Sequence, residues 1–189
     1  PVPAALARLN TLLAERTGSE RFLTLAYLLL RPTAGGADLR VWLAGHHQPA
    51  LVRPDGTVEA LGVPGTLLGI LPEVRHTGAS YRLGPGDLLL LYTDGLTEAR
   101  GSDGLFGTVR LNALLERLAG QTATAAVARL EQAVVEYRKG SADDAAMLIL
   151  RLAPTAEPSE HVLLDLRLAA EPDAVRAAGD VVVMLSNSG

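Results

Sequence analysis

The sequence predicts an α+β fold in which antiparallel strands come first, two helices follow to cover one sheet face, and a last strand returns. Three observations carry that expectation. Short apolar or alternating segments separated by Gly and Pro turns dominate the region from Arg21 to Leu91. Two amphipathic segments follow, Thr108 to Leu118 and Thr122 to Arg138, each opened by a Thr and separated by Gly120. The apolar run Met147 to Leu150 then reads as a strand again. With 189 residues, 48% hydrophobic and 20% charged, the chain has enough apolar side chains for a substantial core.

Taken in order, Pro1 to Arg16 places Leu6, Leu9, Leu12 and Leu13 at helical spacing. Arg21 to Leu30 and Leu39 to Ala44 are strands joined at Gly35-Gly36, and Leu51 to Arg53 with Thr57 to Leu61 form a hairpin around Pro54-Asp55-Gly56. Together these read as an antiparallel meander. Gly62 to Pro72, with Gly62, Pro64, Gly65 and Gly69, reads as a loop at the end to which the hairpins return.

The segment Asp87 to Arg100, DLLLLYTDGLTEAR, is the most informative stretch. Leu88 to Leu91 are a strand buried on both faces, and Tyr92-Thr93-Asp94-Gly95 ends it with a carboxylate. A well-buried strand holds its last residues rigidly, and Gly95 allows a sharp turn or a close approach to an ion. Asp-Gly after an apolar strand is equally the signature of a hairpin turn. A second acidic site, Ser141-Ala142-Asp143-Asp144-Ala145-Ala146, lies just before the Met147 strand, where an acidic turn would also suit the local chemistry. Aspartates at the ends of two apolar strands, far apart in sequence, provide the oxygen ligands that a hard cation such as Mg²⁺ or Mn²⁺ prefers.

Three motifs, AGHHQPALVRPDG at Ala44 to Gly56, GPGDLLLLYTDGLTEAR at Gly84 to Arg100 and DDAAMLILR at Asp143 to Arg151, together with the Phe106-Gly107 step, carry a family resemblance. Over residues 1–152 the chain resembles the SpoIIE-type (stage II sporulation protein E) bacterial branch of the PPM metal-dependent serine/threonine protein phosphatases. The resemblance implies a PPM phosphatase-like antiparallel β-sandwich flanked by helices, with two Mn²⁺ or Mg²⁺ ions held by aspartates at one end. It implies Asp94 and Asp143 as metal ligands, with Gly95, Asp144 and His46 in the shell around them and no catalytic residue beyond the ligands. The implied substrate is a phosphorylated regulatory protein, an anti-sigma-factor antagonist, with a homodimer among the expected assemblies. The upstream aspartate and the Gly-Asp-x-x-Gly-x-Gly segment that relatives use for further ligands do not occur in these 189 residues. The expectation is therefore the C-terminal part of a phosphatase domain, its N-terminal part missing and its active site incomplete. His47-Gln48 replaces two prolines of the family's loop, and Ala146 stands where relatives commonly have Thr. The competing reading is a non-catalytic regulatory or protein-interaction module that keeps the fold without the full metal set.

Composition narrows the field further. There is no cysteine, which excludes disulfides and thiolate metal sites, and the net charge of −4 comes with no dense Lys/Arg patch for nucleic acid. No apolar run approaches the roughly 20 residues of a membrane helix, so the cytoplasm is the expected compartment. No Gly-x-Ser-x-Gly elbow is present for a serine nucleophile. His46, at the end of the Trp42 strand, is either a neighbour of the Asp94 site or a surface loop residue, whereas His76 and His161 lack partners at metal-ligand spacing and are expected to be exposed. The division expected is a partial phosphatase domain over 1–152, a linker over 153–160 and a C-terminal strand and helix over 161–189. The last piece is similar to the opening of a histidine-kinase-like ATPase domain, though it holds no nucleotide-binding motif.

Overall fold

The computed structural model describes residues 1–17, 22–138, 145–153, 164–168 and 181–188. Its elements are α1 (Val2–Thr17), β1 (Leu23–Thr33), β2 (Gly36–Ala44), β3 (Ala50–Val52), β4 (Val58–Ala60), β5 (Ala79–Leu83), β6 (Leu88–Tyr92), α2 (Asp94–Thr97), β7 (Arg100–Gly101), β8 (Gly104–Leu105), α3 (Gly107–Leu115), α4 (Ala123–Tyr137), β9 (Met147–Leu152), β10 (Leu164–Leu168) and β11 (Val181–Ser188). A short 3₁₀ turn, Glu116–Leu118, extends α3.

The strands form two larger sheets, ordered β11-β1-β2-β5 and β10-β9-β6-β3-β4, in which every pairing is antiparallel. Side-chain alternation then builds a layered sandwich. Leu28, Leu30, Leu39, Val41 and Leu43 of the first sheet meet Leu51, Leu89, Leu91, Leu148 and Leu150 of the second in one buried cluster. Leu88, Leu90, Tyr92, Met147 and Ile149 face the other way, onto Leu111, Leu115, Leu130 and Val134 of α3 and α4. On the outer face of the first sheet, Leu6 of α1 packs with Leu25, Trp42 and Ala44. β6 is thus apolar at every position because both of its faces are covered, and each buried Leu contributes about 1.5–3 kcal/mol.

Local chemistry sets the ends of these elements. Thr122 caps α4 by accepting the Ala125 N–H at 3.2 Å, and the buried stripe Ala123, Ala126, Leu130 and Val134 follows at helical spacing. Thr108 has no such role, because α3 begins at Gly107 and makes no side-chain cap. β6 starts where Asp87, 2% exposed, accepts the Gly84 N–H at 2.7 Å and pairs with Arg53 at 2.8 Å.

The two sheets are those of the expected sandwich, but the four strands read as one meander over 21–61 divide between them. β1 and β2 pair as expected, but Gly45 to Pro49 carries the chain across, and β3 pairs with β4 and β6 in the second sheet. Gly45 makes that crossing with φ 69°, a conformation in which an added Cβ would meet Leu67 at 2.5 Å. β10 joins the edge beside β9 and β11 the edge beside β1. Among the described residues no helix is long and apolar enough to cross a membrane. Residues 169–180, where the C-terminal helix of 161–189 is expected to begin, lie outside the described residues, as do His161, Asp143 and Asp144.

Candidate metal centre

Strand β6 delivers Asp94 to one end of the sandwich. The chain does not turn back as a hairpin there. Thr93 begins one helical turn, α2, whose first bonds are Leu96 N–H to the Thr93 carbonyl at 3.2 Å and Glu98 N–H to the Asp94 carbonyl at 2.7 Å. Gly95, Leu96 and Thr97 are buried, while Asp94 itself is half-buried, with its carboxylate turned to accept the Gly95 N–H at 2.9 Å. Gly95 lies in the helical turn and has no positive φ, so helix formation rather than glycine's conformational freedom redirects the chain.

The turn is tied to the strand entrance that follows the second acidic motif. β6 and β9 pair in the register Tyr92 to Met147. One step further on, Thr93 N–H donates to the Ala146 carbonyl at 3.0 Å, and Ala146 N–H donates to Thr93 Oγ1 at 3.0 Å. Asp143 stands three residues before Ala146 in the sequence, outside the described residues. A third element reaches the same turn: Arg138, just past α4, donates from Nη2 to the Gly95 carbonyl at 3.1 Å.

His46 arrives from the other sheet. It is 9% exposed, its Nδ1 lies 3.2 Å from the His47 carbonyl, and it is within electrostatic reach of Asp94. Burial pushes its pKa below the ordinary histidine value, against the opposing pull of the His47 carbonyl and Asp94. The imidazole is therefore neutral at pH 7, and with Nδ1 holding the proton toward His47, Nε2 is left as an acceptor. His47 stacks on Tyr92 with ring centroids 5.6 Å apart, and burial raises the Tyr92 phenol pKa. The loop after Leu61 closes on this end, where Gln48 donates to the Gly62 carbonyl at 2.9 Å and Gly45 N–H to the Gly65 carbonyl at 2.7 Å.

His76 is buried rather than exposed as expected. Its ring packs against Gly65, and Nε2 lies 2.7 Å from the Thr66 carbonyl. The neighbours Arg75 and Thr77 gave no local sign of this.

A hard divalent cation suits the Asp94 carboxylate as one oxygen ligand. Among the described residues there is no group of three or more His, Asp or Glu side chains that could hold a metal ion, so Asp94 offers one ligand of a centre and not a whole one.

Comparison with known proteins places this geometry in context. Protein IcfG of Synechocystis sp. is 35% identical over 69 residues, a stretch amounting to 36% of this chain and 11% of that protein. The Mn-presoaked phosphatase domain of the cell fate determinant SpoIIE from Bacillus subtilis matches at TM-score 0.59 and 20% identity, over 82% of this chain and 68% of that one. The RsbU and RsbW domains of Rv1364c from Mycobacterium tuberculosis match at TM-score 0.55 and 25% identity, over 79% of this chain and 41% of that one. A family model described as stage II sporulation protein E (SpoIIE) matches residues 1–153. An antiparallel sandwich with helices outside both sheets, a strand-to-helix turn at Asp94 and a match over that length together establish that the chain belongs to the SpoIIE family and has the PPM phosphatase fold.

Proposed function

We propose that this chain is part of a metal-dependent protein serine/threonine phosphatase in which Asp94 and Asp143 ligate Mn²⁺ or Mg²⁺. The observation that carries this reading is the pairing of Thr93 with Ala146, which joins the Asp94 turn to the strand preceded in sequence by Asp143. Bound metal of this kind supplies an acidified water and neutralises charge on phosphoryl oxygens. The chain's own residues prepare the setting. The β6 strand fixes where Asp94 stands, the Gly95 N–H orients its carboxylate, and buried His46 offers a neutral acceptor beside it. Asp144, next to Asp143 in the sequence, is assigned a supporting role rather than that of a ligand. The substrate in this reading is a phosphorylated regulatory protein, with an anti-sigma-factor antagonist the class that the family resemblance implies.

Mn²⁺-dependent release of phosphate from a phosphoserine protein, assayed with the full-length protein that contains this sequence, tests the proposal. Asp94→Asn and Asp143→Asn should each abolish turnover while leaving the protein folded. Near wild-type turnover in either variant would remove that residue from the ligand set.

A non-catalytic module with this fold is the second reading, favoured by the absence of a three-ligand cluster among the described residues. Under it, a phosphoprotein would bind without metal dependence and remain intact.

A further inference from the structure

Helix α1 covers the outer face of the first sheet at one end only. Its Leu6 packs on Leu25, Trp42 and Ala44, where the sheet leads through His46 toward Asp94. Toward the other end the same face is exposed at Arg31, Asp38, Arg40, Ser80 and Arg82. Among the described residues these side chains, with half-buried Leu29, line a cavity of about 460 Å³. Small-molecule sites enclose about 300–1,000 Å³, so the space suits an organic ligand better than a lone ion. Along β1 and β2, Leu25 pairs with Ala44 at one end and Arg31 with Asp38 at the other. At about 3.3 Å per residue the cavity stands roughly 20 Å from the end that carries Asp94, outside the candidate metal centre.

Sheet register assembles a cationic group that no run of basic residues marks in the sequence. Arg31, Arg40 and Arg82 come from three neighbouring strands, and strand alternation turns them to one face. Arg31 and Arg82 stand on either side of Asp38, and Leu29 and Ser80 on either side of Arg40. Diagonal neighbours on a sheet face are about 7–8 Å apart, within reach of long side chains, so the three guanidinium groups can converge on one bound group. Two of them are already oriented. Arg82 donates from Nη1 to Asp38 Oδ1 at 2.7 Å and from Nη2 to the Ala34 carbonyl at 3.4 Å. Arg40 lies over the Trp42 ring, 4.7 Å from its centroid. A guanidinium has five N–H donors, so neither set of contacts exhausts its capacity. An ion pair as exposed as Arg82–Asp38 contributes little to stability, so folding alone does not account for the cluster.

We infer that this cavity is a binding site for a small organic phosphate, its dianionic phosphoryl group held by Arg31, Arg40 and Arg82 and its carbon body set against Leu29. Three arginines against one aspartate leave two positive charges in excess, on a chain whose net charge is −4. That excess matches a dianion, and the planar arginine fork matches phosphate oxygens bidentately. Asp38 holds the Arg82 fork in place, and the Ser80 hydroxyl adds a donor at the rim. The site stands independently of the metal-ligand assignment.

Phenylphosphonate, a non-hydrolysable dianion with an apolar body, is the probe; benzenesulfonate, similar in shape but singly charged, is its control. Titrations use the 189-residue chain with a metal chelator present, at constant ionic strength. Trp42, the only tryptophan in the sequence, reports binding by fluorescence because Arg40 stands over its ring. Saturable phenylphosphonate binding is expected with Kd on the order of 1 mM, and benzenesulfonate should bind about tenfold more weakly or less. Amide ¹H–¹⁵N shifts, which also read variants of Arg40, should centre on Arg31, Asp38, Arg40, Ser80 and Arg82. Arg31→Gln, Arg40→Gln and Arg82→Gln should each weaken phenylphosphonate on the order of tenfold. Arg117→Gln, the same charge change in the turn that extends α3, should leave it unaltered. All three arginines are exposed, so the variants are expected to fold, and the amide spectra check that directly. Absence of saturable binding, shifts centred elsewhere, or wild-type affinity in the arginine variants would overturn the site. Equal affinity for the two probes would overturn its preference for a dianion. A polyglutamate peptide that bound the same residues more tightly than phenylphosphonate would overturn the small-ligand assignment in favour of an acidic protein segment.

Discussion

Strand β6 is flanked by two aspartates seven positions apart, and their surroundings differ: Asp87 is buried and paired, whereas Asp94, the proposed ligand, is half-buried. Asp87 is scaffold. Its side chain is 3% exposed, and one oxygen, Oδ2, accepts both Arg53 Nη1 at 2.8 Å and Gly84 N–H at 2.7 Å. Asp87→Ala removes both bonds and leaves the Gly84 N–H without that acceptor. A hydrogen bond involving a charged group contributes about 1.5–3 kcal/mol, and stranding one member of a buried pair costs about 3–5 kcal/mol. Arg53 is 28% exposed and keeps Glu59 at 2.9 Å, so the charge left behind is partly solvated and still partnered. The expected loss is therefore at the lower end, about 2–3 kcal/mol. Asp87→Asn should cost about 1–2 kcal/mol, because both donors use the same oxygen and an amide oxygen in its place serves both at neutral strength. Asp94→Asn should stay within about 0.5 kcal/mol of wild type, since the amide oxygen still accepts Gly95 N–H at a half-buried site. Urea unfolding followed by the fluorescence of Trp42, the only tryptophan in the sequence and buried at 3%, reads all three variants with one probe. A loss in Asp94→Asn as large as that in Asp87→Ala, at unchanged denaturant slope, would refute this division of roles.

Three further outcomes are expected. The 189-residue chain alone should bind Mn²⁺ weakly and hydrolyse p-nitrophenyl phosphate negligibly, because the upstream aspartate and Gly-Asp-x-x-Gly-x-Gly segment that the family resemblance implies as further ligands do not occur in it; tight stoichiometric binding of two Mn²⁺ by calorimetry would show that other residues complete the site. In the full-length protein that contains this sequence, the proposed assignment predicts that Asp144→Asn retains much of the phosphatase rate while Asp143→Asn does not, since an amide keeps one acceptor and only Asp143 is assigned as a ligand; equal loss in both would make Asp144 a ligand. His46 has a folded pKa below its unfolded value, so as pH falls through the unfolded value of about 6.5 the unfolded chain binds the extra proton first and stability drops. His46→Gln should flatten that slope between pH 7 and the lowered folded pKa, and an unchanged urea midpoint profile across this window would show that another group is responsible.

Features set by local pattern were legible in the sequence, and those set by distant partners were not. The run Leu88 to Leu91 is apolar without alternation because one face meets the other sheet and the other meets α3 and α4, and that double burial is written into the composition. The Thr122 cap and the stripe behind it were equally plain. Sheet membership was not: β2 and β3 carry the same strand signal, and only Gly45 with its positive φ and its contact to Leu67 shows that the chain crosses between sheets. At the site, Asp94 was marked by its place after a buried strand, but Asp-Gly fits a hairpin as well as the helical turn that forms. Arg138 carries no local sign of its bond to Gly95, which depends on where α4 ends relative to α2. His76 misled for the same reason, since its partner Thr66 is a loop carbonyl ten residues away.

The most direct test of the account is a crystal structure of the full-length protein that contains this sequence, soaked in Mn²⁺, with the ions located by anomalous scattering. The account predicts a peak with carboxylate oxygens of both Asp94 and Asp143 at about 2.0–2.2 Å, and Asp144 bonded to loop main chain beside it. A Mn²⁺ site that excludes Asp94, or one bound by Asp144 with Asp143 turned away, would contradict it.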